Sequence, residues 1–111
     1  VYSVSINCST SNQRDLLLDT AQNLTQIGEW AKTSFSKDEA RIALFLKLTR
    51  KNLTALSEFP ISPKLNTEFQ LFCASFAGME TEYLAGCTNP AKWANGMLTW
   101  ATTLTQSAQL L

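Results

Sequence analysis

Glu80, Cys73 and a group of aromatic residues are the side chains of this 111-residue chain with the strongest claim to chemistry. Counting 100° per residue along a helix sets Glu80 beside Phe76 and Tyr83, on an apolar face that also carries Leu65, Phe69, Phe72 and Cys73. A carboxylate is seldom buried in such surroundings without a partner. One reading makes Glu80 the anchor for the polar group of an apolar or planar small molecule. Phe72, Cys73, Phe76, Trp93 and Trp100 would then line a carrier or sensor site between the third and fourth helices, mostly apolar with one polar group. The other reading sets Glu80 at the margin of the stripe, reaching water or paired with a Lys or Arg of another helix, and places the rings in the core. An enzyme using Glu80 and Cys73 would need a reactive thiolate in an electropositive, accessible setting. No residue near Cys73 in the sequence supplies one.

The remaining chemistry is narrowed by what the chain lacks. It contains no histidine, which removes the commonest general base, the Ser-His and Cys-His nucleophile pairs and the histidine-based metal triads. There is no glycine-rich phosphate loop, no G-x-S-x-G elbow and no Glu-x-x-His pair of the di-iron bundles. The three cysteines, Cys8, Cys73 and Cys87, have no metal-ligand spacing. A Cys73–Cys87 bridge is too long for a continuous helix, at 1.5 Å rise per residue against the roughly 6 Å that a disulfide spans. Cys8 reaches Cys73 only if the N-terminal segment folds back. The expectation is a non-catalytic chain with no cofactor and no metal.

Nine basic residues balance nine acidic ones, and charged residues make up 16% of the chain against the usual quarter or so. There is no global field to attract nucleic acid or anionic lipid. No apolar run approaches the roughly 18 to 20 residues of a bilayer span, and no basic segment followed by an apolar one marks a secretion signal. Sequons begin at Asn7, Asn23 and Asn52. Low charge and abundant Thr and Asn lean towards an extracytoplasmic setting, the odd cysteine leans the other way, and the compartment stays open.

Four helices must position these groups. Leu17, Ala21, Leu24, Ile27, Ala31 and Phe35 recur at helical steps from Asn12 to about Ser34, opposite Asp15, Asp19, Gln22, Gln26 and Glu29. "SKDE" reads as a capping box, Ser36 as N-cap and Glu39 three residues on. Ile42, Phe45, Leu46, Thr49, Leu53 and Leu56 follow as the second stripe, closed before Pro60 and Pro63. The third helix ends at "AGCTNP", where Gly86 suits a left-handed C-terminal residue and Asn89-Pro90 opens the next helix. The last carries Trp93, Met97, Trp100, Leu104, Ala108 and Leu111 in one stripe. The chain is therefore expected to be all-α, an up-down-up-down four-helix bundle over residues 12–111, with residues 1–11 as a short extended N-terminal arm.

Two faces of this bundle fit a partner. On the second helix Leu44 and Leu48 lie off the core stripe among Arg41, Lys47 and Lys51, either gripped within the bundle under the lysine stems or free to dock another chain. The last helix has no charge after Lys92, and its outer face reads Asn95, Thr99, Thr102, Thr103, Gln106 and Gln109. Threonine is a poor helix former, so such a helix leans on tertiary packing, and interface centres are depleted of charge. The expected function is a non-catalytic protein-interaction or self-associating domain. Its partner surface comprises Arg41, Leu44, Leu48, Lys51, Thr99, Thr102, Thr103 and Gln106, and a homodimer is its simplest assembly.

Overall fold

The chain is an all-α four-helix bundle. The computed structural model describes residues 9–59 and 63–109, with side chains from residue 13 onward and excepting residue 64. The helices are α1 (Ser9–Ser34), α2 (Glu39–Leu56), α3 (Pro63–Leu84) and α4 (Pro90–Ala108). Residues 9–11 contain no Gly or Pro to stop a helix, so α1 begins at Ser9 rather than at the expected Asn12. The rest of the expected arm, residues 1–8, lies outside the described residues, as do Pro60 and Leu111.

The apolar stripes read from the sequence form the core. Leu24, Ile27, Ile42, Phe72, Phe76 and Met97 are fully enclosed, with Leu17, Leu46, Leu53, Leu56, Trp93 and Leu104 buried around them. α1 packs most extensively against α4 and next against α2. Small residues explain the closeness of α1 and α4: Gly28 lies against Ala94, and Ala21 on α1 and Ala101 on α4 are buried as well. A Cβ added to Gly28 would lie 2.7 Å from Leu98 Cγ and Cδ2 and 3.2 Å from the carbonyl oxygen of Ala94. The backbone of α3 stands further from its neighbours, separated by the rings of Phe69, Phe72, Phe76 and Trp100.

Helix ends follow local chemistry at one corner and tertiary packing at another. α3 stops in a Schellman turn: Gly86 N–H donates to Tyr83 O at 3.1 Å and Cys87 N–H to Glu82 O at 3.0 Å, with Gly86 at φ 109°. Asn89 Oδ1 then accepts from Lys92 N–H at 3.2 Å, with Pro90 in the first turn of α4. The expected Ser36–Glu39 capping box does not form. Residues 35–38 are a turn closed by Asp38 N–H donating to Ser34 O at 2.9 Å, and α2 starts only at Glu39 with Asp38 before it. The Asp38 carboxylate makes no cap bond, because it accepts from the Ser34 hydroxyl and pairs with Arg41 at 3.6 Å. Phe35 turns inward from this turn, its ring 5.9 Å from Tyr83 and 6.0 Å from Trp93.

Candidate functional site

The aromatic residues of α3 and α4 occupy the interior by contacting one another. Phe72 lies 5.7 Å from Phe76 and 5.3 Å from Trp100, centroid to centroid. Trp93 stacks on Tyr83 at 5.6 Å and donates its Nε1–H to Met79 O at 2.9 Å. Each ring thus fills the place a planar guest would take, and the one buried indole donor is satisfied by backbone. A turn earlier in α3, a cavity bounded by Leu17, Leu65, Phe69 and Leu104 holds about 20 Å³. That is room for one water, far below the roughly 300 Å³ at which ligand sites begin.

Glu80 takes the second of its two expected roles. The Arg50 guanidinium of α2 grips it through two nitrogens, Nη2 to Oε1 and Nε to Oε2 at 3.5 Å, and lies 5.2 Å over the Phe76 ring. The pair is partly exposed, 44% for Arg50 and 26% for Glu80, so water screens it. It ties α2 to α3 and leaves the carboxylate engaged. Cys73 is half-buried, and burial pushes its thiol above the ordinary value, with nearby Arg50 offsetting part of the rise. Burial likewise raises Cys87, with Glu82 adding to it. A nucleophilic cysteine needs the opposite shift. Among the described residues no cluster of Cys, Asp and Glu could hold a metal ion.

Tyr83 provides a second strut between α2 and α3, its hydroxyl donating to Glu39 O at 3.1 Å. Its pKa is raised by burial first and by the charge of Glu39 next. A third link joins α1 and α2, where Asn52 Nδ2 donates to an Asp19 carboxylate oxygen at 2.8 Å. This nitrogen is the one a sequon offers for glycosylation. Asn23 is 7% exposed and its Nδ2 is buried, so both described sequons turn their amide nitrogens to the bundle.

Of the expected partner residues on α2, Leu44 and Leu48 are 53% and 39% exposed, so they are not enclosed within the bundle. Lys47 and Lys51 are exposed beside them, with no ion-pair partner among the described residues. Arg41 is committed in part, paired with Asp38 and 5.8 Å over the Trp30 ring. An open groove of about 400 Å³ runs between α2 and α3 next to these leucines, lined by Ala43, Leu46, Lys47, Ala77, Thr81 and Leu84 among others. Leu84 stands 84% exposed at its rim. The sequence signal for the groove is the pair of alanines; the signal for Leu84 is its place at the C-terminal end of α3, outside the core stripe.

On α4, Asn95, Thr99, Thr102, Gln106 and Gln109 are exposed, and Thr103 is half-buried. The hydroxyls turn back onto the helix: Thr102 donates to Leu98 O at 3.3 Å, Thr103 to Thr99 O at 3.1 Å and Thr105 to Ala101 O at 2.8 Å. With these hydroxyl donors satisfied internally, the face presents methyl groups and amides beside the one hydroxyl of Thr99. Beside it Thr25, Leu98, Ala101, Thr102, Thr105 and Gln106 line an open groove of about 450 Å³ between α1 and α4. No family model, curated protein or solved structure matches the chain.

Proposed function

We propose that the chain is a non-catalytic protein-interaction domain that self-associates through the outer face of α4. The supporting observation is the face itself, uncharged from Trp93 to Gln109, exposed at Asn95, Thr99, Thr102, Gln106 and Gln109, and with the hydroxyls of Thr102 and Thr103 bonded to their own helix. Burying a hydroxyl that already has a partner forfeits little hydration, whereas burying a lysine or glutamate carries a large desolvation cost. A two-fold axis sets like residues against like. On α2 that would bring Lys47 and Lys51 against their own copies; on α4 it brings Thr102 and Gln106 against theirs, without repulsion. The groove beside α4 offers a concave seat for the opposing helix.

The test is sedimentation equilibrium across micromolar concentrations on the wild-type chain and on Thr102→Lys with Gln106→Lys. Both substitutions fall on exposed positions and leave the core untouched. The wild type should sediment as a dimer and the variant as a monomer with unchanged helical circular dichroism. A wild-type monomer throughout that range overturns the homodimer.

A further inference from the structure

The groove between α2 and α3 calls for a different kind of occupant. It is bordered by two polar struts, Tyr83 to Glu39 O and Arg50 to Glu80, and Ala43 of α2 and Ala77 of α3 both line it. Two alanines leave a space that Lys47 and Thr81 enclose and Leu46 floors. Four residues from two neighbouring helices around a depression make the kind of hole that receives one side chain of a packing helix. Leu44 and Leu48 extend the apolar surface along α2, and Leu84 extends it on α3.

The charges around this surface select among helices that could lie there. Leu44, Lys47, Leu48 and Lys51 form one face at i, i+3, i+4 and i+7, two leucines alternating with two lysines and no carboxylate. Glu80, which reaches the groove, is already held by Arg50. Glu39 stands only at the end marked by Tyr83. A second copy presenting the same face would meet like charge. An anionic membrane surface would be expected to engage aromatic residues at its boundary, and this face has none.

We infer that the α2–α3 groove docks an acidic amphipathic helix of another protein, which inserts an apolar side chain between Ala43 and Ala77, packs on Leu44 and Leu48, and sets carboxylates against Lys47 and Lys51. This rests on the reading of the chain as an interaction domain, but not on the α4 dimer, since the two faces lie on different helices.

Fluorescence anisotropy tests it with a labelled synthetic peptide of about five helical turns, leucines at i, i+4 and i+7 and glutamates elsewhere. Controls are the same peptide with lysines for glutamates, and phosphatidylserine-containing vesicles. The acidic peptide should bind, and Leu44→Ser with Leu48→Ser should weaken it about tenfold or more. Lys47→Glu with Lys51→Glu should do the same, and should reverse the preference towards the basic peptide. Both pairs are exposed and should leave circular dichroism and sedimentation unchanged. Absence of peptide binding at millimolar concentration, equal binding of both peptides, or binding to vesicles alone overturns the proposal. A change of sedimentation in the α2 variants would assign the groove to a second copy. Loss of the dimer with peptide binding intact would strike only the α4 reading.

Discussion

Replacing Gly28 and Gly78 by alanine should move stability in opposite directions, although both glycines sit inside helices and the substitution is the same. At Gly78 an added Cβ meets nothing within 4 Å. The only change is the intrinsic preference for helix, and Gly78→Ala should stabilise by about 0.5–1 kcal/mol. Gly28→Ala has the same gain, set against a Cβ 2.7 Å from two atoms of Leu98 and 3.2 Å from the Ala94 carbonyl oxygen. Swinging Cδ2 of Leu98 aside does not relieve the contact with its Cγ, so either Leu98 takes another χ1 rotamer or α1 and α4 shift apart. Overpacking of this kind costs about 1–3 kcal/mol. The net effect of Gly28→Ala is then a destabilisation of up to about 2.5 kcal/mol, and the two variants should differ by the overpacking cost itself, about 1–3 kcal/mol. Urea unfolding followed by far-ultraviolet circular dichroism measures both through the midpoint at constant slope. Leu98→Ala in the Gly28→Ala background removes the obstructing atoms, so the double mutant should be more stable than the sum of the singles by about 1 kcal/mol. If Gly28→Ala matches Gly78→Ala in stability, the account of how α1 and α4 pack is wrong.

The Arg50–Glu80 link should be weak despite its two-nitrogen grip: a double-mutant cycle with Arg50→Met and Glu80→Gln should give a coupling of under about 1 kcal/mol that shrinks in molar salt. A coupling of several kcal/mol, insensitive to salt, would mean that the pair is far better shielded from water than its exposure indicates. Stability should also fall on the alkaline side. The folded pKa values of Cys73, Cys87 and Tyr83 lie above their ordinary values of 9.0, 9.0 and 10.0, so the folded state holds protons that the unfolded chain releases. This stabilisation is complete below pH 9 and is lost as pH rises through the raised values. Urea midpoints should decline above pH 9, and less so in Cys73→Ala with Cys87→Ala; a flat profile would contradict the burial of these groups.

What could be read from the sequence was whatever depends on neighbours along the chain. The core stripes, the stop at Gly86 and the start at Asn89-Pro90 depend on residues within a few positions of each other, and they stand as expected among the described residues, with Phe35, Phe45, Cys73, Tyr83 and Trp100 only partly buried. The capping box failed because a local motif met tertiary packing. Phe35 is drawn towards Tyr83 and Trp93, the chain turns to deliver it, and Asp38 rather than Ser36 ends up next to α2. Glu80 was legible as a carboxylate needing a partner, but nothing along the chain singled out Arg50, thirty residues away. Gly28 is the sharpest case. In isolation it is a weak point in a helix, and its purpose is visible only when Ala94 and Leu98 are brought against it. On α2, periodicity placed Leu44 and Leu48 off the core stripe, but only the arrangement of the other helices leaves them uncovered.

The claim that α4 meets another copy is tested most directly by solvent paramagnetic relaxation of the threonine methyl groups, read by nuclear magnetic resonance as the protein is concentrated. Thr33, Thr54 and Thr81 are exposed on the other three helices and serve as internal standards. The methyls of Thr99 and Thr102 should lose contact with the paramagnetic probe as the dimer forms, while the three standards keep theirs. Equal exposure of all five at every concentration would contradict it.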